Sequence, residues 1–279
     1  MAESHLTRHG RSGPVTYLLR AFAIVYLLLL VAWPVALVVT HTFDDGLESL
    51  RAVFSDPDTV HALRLSVLAA AVATVINTVF GVGVSLLLVR TEFPGKRLLS
   101  ALLDLPLSVS PIVVGLALVL VYGGRTGWFG PTLESWGIQV IFSTPGIILA
   151  TAFVSLPLVI REVVPTLREI GIEQEQAALS LGASSWQTFW RITLPSVKWA
   201  VVYGVVLTLA RSLGEFGAVK VVSGNVLGET RTATLAVEEK YLNFNASEAY
   251  AIAFLLAGVS VVAIAIISIL RSREKKASS

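Results

Sequence analysis

The sequence of 279 residues contains no cysteine. This absence excludes disulfides, cysteine-ligated zinc and iron–sulfur clusters, and it leaves the redox compartment open. Charged residues are also scarce, at 14%, whereas a soluble domain carries about a quarter. Together with a hydrophobic fraction of 54% and a mean hydropathy of +0.76, this scarcity indicates a large lipid-facing surface.

Groups that carry catalysis are missing as well. All histidines precede the second long apolar run: His5, His9, His41 and His61. A metal-dependent or serine–histidine membrane protease needs histidine at membrane depth. The chain also lacks the glycine-rich spacing of a phosphate-binding loop, because Gly95 and Lys96 are followed by Arg97. We therefore predict no catalytic residue, no metal site and no cofactor on this chain.

Nucleic acid is an equally poor candidate partner. The formal net charge is only +2, and no basic stretch is interleaved with aromatic residues in the manner of a single-strand groove. We therefore expect the lipid bilayer, not nucleic acid, to be the main surroundings of the chain.

Long apolar runs dominate what is present. A helix needs about 20 apolar residues to cross the hydrocarbon core. Five uncharged runs reach that length: Ala21 to Val39, Leu65 to Val89, Leu105 to Gly124, Gly137 to Ile160, and Ala249 to Leu270. The first could also be a signal peptide, but it is longer than the usual apolar region of one and no clear cleavage site follows it.

A shorter run lies between Lys198 and Arg211 and contains 12 uncharged residues. We count it as a span, because Lys198 can extend its ammonium group outwards and Arg211 can pair with Glu215 one turn later. The sequence therefore predicts an all-α integral membrane protein with six transmembrane helices.

The distribution of lysine and arginine predicts the orientation. With six spans, both termini and the loops 90–104 and 161–198 share one side, which carries 14 basic and 8 acidic residues, against 7 and 11 on the other. By the positive-inside rule that side is cytoplasmic, so we expect a multi-pass protein of the cell (inner or plasma) membrane. The expected organisation is a cytoplasmic tail (1–20), the first helix with an extracytoplasmic loop (21–60), a transmembrane domain (61–270) that includes the cytoplasmic loop 161–198, and a cytoplasmic tail (271–279).

Two patterns inside the spans bear on packing. Small or polar residues recur at four-residue spacing in the second run: Ala69, Ala73, Asn77, Gly81 and Ser85. This stripe lets another helix approach closely, which we favour over a substrate-lining role. Ser108, Ser110 and Pro111 interrupt the third run, where packing and a polar path are equally good interpretations.

Arg211 and Glu215 also admit two roles. They lie four residues apart near the end of the short span, and either charge alone is costly at membrane depth. A structural ion pair and an anion-guiding arginine remain equally good interpretations.

The loop 161–198 has the pattern of two short helices. Glu173 to Leu181 is a helix candidate, and Gly182 stands where a left-handed glycine would end it. Ser184 then begins a capping box with Gln187, and the next helix is expected to run until Pro195 restricts it. The two helices should meet at a glycine corner on the cytoplasmic face.

The same loop contains QAALSLGASSWQTFWRITLP, which closely resembles the EAA signature of ABC importer permeases: Glu-Ala-Ala, three residues, Gly, nine residues, Ile-x-Leu-Pro. Gln176 stands in place of the family's glutamate, and the adjacent Glu175 is about 100° away on a helix, so it need not replace the missing charge. The resemblance implies a type I ABC importer permease fold. It also implies that the motif residues couple the chain to an ATPase: Gln176, Ala177, Ala178, Gly182, Ile192, Leu194 and Pro195.

Three further stretches resemble one subfamily, the sulfate/thiosulfate permeases of the CysW type. They are VRTEFPGKRLLSALLDLPLSVSPIVVGL (89–116), GWFGP (127–131) and ARSLGEFGAVKVVSGN (210–225). Molybdate permeases share the GEFG and EAA features, so a molybdate-type oxyanion permease is the alternative. An ion-coupled secondary carrier and a membrane-embedded enzyme are the alternatives from other classes.

The resemblance implies a multi-subunit assembly. One copy of this chain would pair with a homologous permease as a heterodimer. Two copies of a cytoplasmic ABC ATPase would hold ATP and Mg, and an extracytoplasmic sulfate-binding protein would deliver the anion. The chain itself would then be a non-catalytic subunit.

Overall fold

The computed structural model describes the backbone of residues 14–277, and the side chains of residues 15–263 and 265. The two predicted tails therefore lie partly outside the described residues, as do His5 and His9. Within the described part the chain is helical, without strands. Its α-helices are α1 (Pro14–Leu27), α2 (Trp33–Phe43), α3 (Glu48–Ser55), α4 (Pro57–Arg90), α5 (Lys96–Ser108), α6 (Pro111–Tyr122), α7 (Gly130–Ser135), α8 (Thr144–Ser155), α9 (Pro157–Ile170), α10 (Glu173–Ser180), α11 (Ser185–Thr188), α12 (Leu194–Leu213), α13 (Gly217–Val222), α14 (Ala233–Leu242) and α15 (Ala246–Ala277).

In the described part, five helical stretches are long and apolar enough to cross a membrane: Val15–Phe43, Pro57–Arg90, Thr144–Ile170, Ser185–Leu213 and Ala246–Ala263. Helices α5 and α6 pass the same test together but are bent by 115° at the break between them. Counting this bent pair as one broken span gives the six spans that the sequence predicts. The interruption predicted around Ser110 is therefore confirmed.

Two helices extend beyond the limits expected for their spans. The helical stretch expected to end at Ile160 continues to Ile170, ten residues into the predicted loop 161–198. The 12-residue run belongs to a stretch of 29 residues that starts at Ser185, with Lys198 inside it. The physical reason is that a charged residue does not end a helix, because the i to i−4 hydrogen bonds continue wherever water or protein can surround the side chain.

Pro195 does not end the second loop helix, which corrects a further prediction. The helix widens into a π turn at Phe189–Thr193, where the Leu194 N–H bonds to the Phe189 carbonyl five residues back. A second π turn at Leu28–Ala32 likewise ends two residues before a proline, Pro34. A proline in a regular helix clashes with the carbonyl four residues earlier. The wider turn moves that carbonyl aside and lets each helix pass through its proline.

The centre of the chain is a close approach of α4, α9 and α12. A Cβ atom at Gly81 would lie 2.9 Å from Val159 Cβ, and one at Gly204 would lie 2.8 Å from Val159 Cα. Val159 is fully buried between these two glycines. All five residues of the small-residue stripe are buried as well, so its predicted role in close helix packing is confirmed.

A chain of hydrogen bonds crosses the same core. The Asn77 side-chain amide donates to the Ala152 carbonyl and to Ser155 Oγ, both at 2.9 Å. Ser212 Oγ lies 3.2 Å from Ser155 Oγ. At membrane depth there is no water to satisfy a polar group, so such groups need hydrogen-bond partners within the protein. These bonds therefore fix α4, α8 and α12 relative to one another.

At the opposite end of α4 from Arg90, ion pairs hold α14 to the start of α4. Lys240 Nζ bonds to Asp56 Oδ2 at 3.1 Å and to Glu248 Oε2 at 2.7 Å. The hydrogen bond from Thr59 to Asp56, at 2.7 Å, is the largest of the effects that lower the pKa of that carboxyl. Asp56 therefore stays ionised and keeps its bond to Lys240.

Candidate functional site

Two helix breaks meet inside the bundle. The first separates α5 from α6 at Val109 and Ser110, and the second separates α12 from α13 at residues 214–216. A Cβ atom at Gly217 would lie 2.9 Å from Pro111 Cβ, and one at Gly115 would lie 2.8 Å from the Ala218 carbonyl oxygen. Helices α6 and α13 are therefore in close contact, and the two breaks are neighbours.

Both breaks lie near the middle of the membrane. The uncharged part of α4 extends from Arg64 to Arg90, and its midpoint is Asn77. Hydrogen bonds from Asn77 to Ser155 and from Ser212 to Ser155 put the end of α12 at the same depth. Irregular backbone at this depth is tolerated where it is buried in protein or lines a water-filled cavity.

The predicted pair of Arg211 and Glu215 is present, with Arg211 Nη1 2.7 Å from Glu215 Oε2. Glu215 does not share a helical face with Arg211 as expected, because α12 ends at Leu213. Glu215 Oε1 accepts from the Ala218 N–H at 3.0 Å, and its carbonyl accepts from Thr234 Oγ1 at 2.8 Å. Glu215 is 4% exposed, whereas the Arg211 side chain is 40% exposed. The carboxylate therefore joins α12 to α13, the backbone carbonyl of Glu215 adds α14, and the Arg211 guanidinium faces outwards.

Glu215→Gln tests the structural importance of this pair. Glutamine can still accept from Ala218, but it leaves the Arg211 charge without its partner at mid-membrane. We expect a loss of about 3 kcal/mol, the lower end for breaking a buried pair, because Arg211 is partly exposed. The expected result is a severalfold fall in the amount of protein in the membrane, measured by quantitative blotting.

The matched control is Glu92→Gln, which breaks the exposed pair of Glu92 with Lys96. Exposed pairs contribute at most about 1 kcal/mol, so the level should not change. Normal protein level and normal uptake in Glu215→Gln would contradict a structural role for the pair.

Ser108 and Ser110 are exposed and Pro111 is half-buried. All three lie at the α5–α6 break, as predicted. The exposed hydroxyl groups of Ser108 and Ser110 and the guanidinium of Arg211 are therefore polar groups at a depth where lipid would not solvate them.

The second candidate region is the loop after α9. Gly182 has a φ of +88°. The Ala183 N–H bonds to the Ala178 carbonyl, and the Gly182 N–H to the Leu179 carbonyl, both at 3.0 Å. This is a Schellman motif, which requires a residue in the left-handed conformation. The capping box of Ser184 and Gln187 is also present, so the predicted glycine corner is confirmed.

The tip of this loop is unusually exposed. Leu181 is 90% exposed and Trp186 is 69% exposed. Gln176 and Ala177 are exposed, while Ala178 is half-buried. Ile192 lies in the π turn, and Leu194 and Pro195 begin α12. The first half of the motif therefore forms an open surface, and its last residues connect that surface to a membrane span.

Glu175 attaches the loop to the bundle, a role that sequence reasoning missed. Its Oε2 lies 3.0 Å from Arg90 Nε, and its Oε1 accepts from Thr193 Oγ1 at 2.9 Å. Arg90 also donates to the carbonyl of Gly171 at 2.6 Å. The charge that the sequence shows one position before Gln176 therefore points inwards. The only available signal was Arg90, directly after the longest uncharged run.

Comparisons with known proteins agree with one another. Residues 77–276 match the family described as "Binding-protein-dependent transport system inner membrane component". The chain is 47% identical over 256 residues to the sulfate transport system permease protein CysW of Synechococcus elongatus, which covers 92% of this chain and 89% of that protein. It is 39% identical over 221 residues to the sulfate transport system permease protein CysT of Escherichia coli, covering 79% of each.

A solved structure shares the fold. The chain resembles a protein of the bacterial alginate ABC transporter in complex with an alginate pentasaccharide-bound periplasmic protein, with a TM-score of 0.75 and 16% sequence identity over 94% of this chain and 95% of that one. At this identity the likeness concerns the arrangement of helices.

Proposed function

The chain belongs to the family of binding-protein-dependent transport system inner membrane components, and from this premise we propose that it is the permease subunit of an ATP-driven sulfate importer. The observation that carries the proposal is the 47% identity to a sulfate permease over 92% of the chain. The alignment covers 92% of this chain and 89% of the relative, so the likeness is not confined to one motif. The chain is a non-catalytic subunit, and ATP hydrolysis belongs to a partner.

The helix breaks support an anion path. Helix α6 begins at Pro111, so the positive end of its dipole lies near mid-membrane beside Ser110. Transporters of other folds direct such half-helix ends at anionic substrates. Arg211 adds a partly exposed positive charge at the same depth. Because Glu215 neutralises much of this charge, the site would attract a divalent anion without holding it tightly, as a conduit requires.

The exposed loop supports a docking site for the ATPase. Large exposed apolar side chains at a loop tip mark a protein contact, and Leu181 with Trp186 provides one. The proposed coupling residues extend from Gln176, through Gly182, to Pro195. Nucleotide-driven movement of the ATPases would then be transmitted through α12 to the helix breaks as a rigid-body transition.

The remaining partners follow from the assembly. The chain resembles both CysW and CysT proteins, which supports a heterodimer of homologous permeases. We assign it two ABC ATPase copies that bind ATP and Mg, and an extracytoplasmic sulfate-binding protein. The transmembrane domain is assigned to 61–270, after the first helix and outer loop (21–60), with the tails 1–20 and 271–279 in the cytoplasm.

Orientation can be tested by thiol labelling, since the chain has no native cysteine. An impermeant reagent added outside intact cells should label Asp45→Cys and miss His5→Cys and Lys275→Cys. After permeabilisation, all three should react. The reverse pattern in intact cells would contradict cytoplasmic termini.

The substrate is tested by deleting the gene. Deletion should abolish uptake of radiolabelled sulfate and make growth depend on cysteine or methionine, because no other subunit replaces the path. Molybdate uptake should be nearly unaffected, and a plasmid copy of this chain should restore sulfate uptake. Normal sulfate uptake with loss of molybdate uptake would exclude the sulfate proposal in favour of the molybdate-type permease.

A further inference from the structure

An ion pair on the surface of the bundle is not explained by the broken helices or the loop. Arg161 of α9 lies against Asp104 of α5, with Nη2 3.0 Å and Nε 3.2 Å from Asp104 Oδ1. The two side chains are 58% and 55% exposed. The pair lines an open cavity of about 250 Å³ together with Arg168, and its floor is apolar, with Leu103 and Ile160.

The depth of Arg161 follows from the packing of α9 on α4. Gly81 lies against Val159, and Arg90 bonds to the Leu167 carbonyl at 3.3 Å, so the two helices run parallel with a nearly constant offset. Arg161 is therefore level with residue 83, six residues from the α4 midpoint, or about 9 Å at 1.5 Å per residue. The hydrocarbon core extends about 15 Å from its middle. The Cα atom of Arg161 therefore lies within the hydrocarbon core.

The depth of Asp104 follows from its ion pair with Arg161. Asp104 Oδ1 lies 3.0 Å from Arg161 Nη2, so Asp104 lies at about the same level. Its short side chain cannot extend its carboxylate to the membrane surface, as the longer lysine and arginine side chains do. Both charges therefore lie inside the hydrocarbon core, although the sequence places Asp104 and Arg161 at the ends of predicted spans.

Two charges that are more than half exposed cannot face lipid at this depth without a large cost. An anionic lipid headgroup is a poor occupant, because headgroups lie beyond the hydrocarbon core, about 15 Å from its middle, and the pair lies about 9 Å from it. Water is the better occupant, and Arg168, level with Arg90, continues the cavity to the membrane surface. The exposed face of α5 then looks into an aqueous space between this chain and a second permease subunit.

We propose that Arg161 and Asp104 form a relay site for a divalent tetrahedral oxyanion in the cytoplasmic half of the path, an inference that rests on the proposed function. Arg161 attracts the anion as it leaves the helix breaks. Asp104 competes for the guanidinium, so the anion is held weakly and passes on to Arg168. Selectivity between tetrahedral oxyanions is not required of such a site, because it recognises charge.

The first arm of the test asks whether this face is aqueous. Ser108 is exposed one turn after Asp104 on the same face of α5. Val79 is 72% exposed on an apolar face of α4 and lies at a similar depth. In the assembled complex, charged methanethiosulfonate reagents should label Ser108→Cys and not Val79→Cys. If Ser108→Cys reacts only with an uncharged lipophilic maleimide, lipid covers the face and the proposal is overturned.

The second arm measures the local potential. The ratio of labelling rates for an anionic over a cationic methanethiosulfonate at Ser108→Cys should fall about threefold to tenfold in Arg161→Gln, because removing a charge several Å away changes the potential by that order. It should rise in Asp104→Asn. An unchanged ratio in Arg161→Gln would remove Arg161 from the path.

The third arm uses sulfate uptake into proteoliposomes that contain the whole complex. Asp104→Asn should lower both KM and the maximal rate, because a tighter site releases the anion more slowly, and Arg161→Lys should retain more uptake than Arg161→Gln. Equal loss in Arg161→Lys and Arg161→Gln, with KM unchanged, would indicate a structural pair only. If the complex carries no sulfate at all, the proposed function fails, while the labelling arms still decide whether the site exists.

Discussion

Replacing Glu175 with alanine is expected to separate the loop that contains α10 and α11 from the rest of the helices. The substitution removes the acceptor of both Arg90 and Thr193. Hydrogen bonds to a charged group contribute about 1.5–3 kcal/mol each. The pair is mostly buried, with side-chain exposures of 16% and 19%. A loss of about 3 kcal/mol would shift the equilibrium between the attached and detached loop roughly a hundredfold.

The substitution should impair coupling of the chain to the ATPase but not insertion of the chain into the membrane. Glu175→Ala should reach the membrane at a normal level, but ATPase co-purification and sulfate uptake should each fall at least tenfold, as a flexible loop transmits no rigid-body movement. Glu175→Asp should restore part of both. Thr193→Val, which removes only one of the two partners, should have a smaller effect.

Glu173→Ala is the matched control, because Glu173 is an exposed acidic residue on the same helix. It should lose only a favourable interaction with the helix dipole of about 0.3–1 kcal/mol. Equal losses of sulfate uptake in the two variants, or undiminished ATPase co-purification with Glu175→Ala, would show that the contacts of Glu175 with Arg90 and Thr193 are not needed for coupling.

The second large effect is expected from a single added methyl group. Gly204→Ala would bring a Cβ atom to 2.8 Å from Val159 Cα, and a backbone atom cannot move aside as a flexible side chain does. Overpacking of a core costs about 1–3 kcal/mol. We expect the purified chain to unfold several degrees lower in detergent, and Gly204→Val to prevent accumulation altogether.

Gly83→Ala provides the control on a neighbouring helix, since a Cβ atom there would meet nothing within 4 Å. Alanine should instead raise stability slightly, by up to about 1 kcal/mol, because it favours the helix. A Gly204→Ala chain as stable as Gly83→Ala would mean that α9 and α12 are not in close contact.

Some features could be predicted because they depend on neighbours in the sequence. The length of an apolar run determines whether a helix can cross the hydrocarbon core, and the predicted six spans are obtained when the bent pair of α5 and α6 is counted as one. The glycine corner at Gly182 was predictable because a left-handed residue and a capping serine act within a few positions of each other. The small-residue stripe on α4 identified a close helix contact, although it did not identify Val159 as the partner.

The limits of the helices were less predictable. Charged residues were taken as ends of spans, yet α9 continues past Arg161, and the stretch from Ser185 includes Lys198. Proline was taken to restrict a helix at Pro195, yet a π turn accommodates it. A helix continues past a charged residue if water or protein surrounds the charge, and past a proline if the preceding turn can widen. Both conditions depend on tertiary contacts, which cannot be read from the local sequence.

The sequence by itself determined the helical membrane architecture, its small-residue packing face and the shape of the loop corner, since apolar length, side-chain size and backbone φ are local properties. Only the tertiary structure decided which charges meet. Arg90 and Glu175 are 85 positions apart, and Asp104 and Arg161 are 57 apart. Packing of α4, α5 and α9 sets the depth and direction of each side chain, so identical local sequences in another arrangement would leave these charges unpaired.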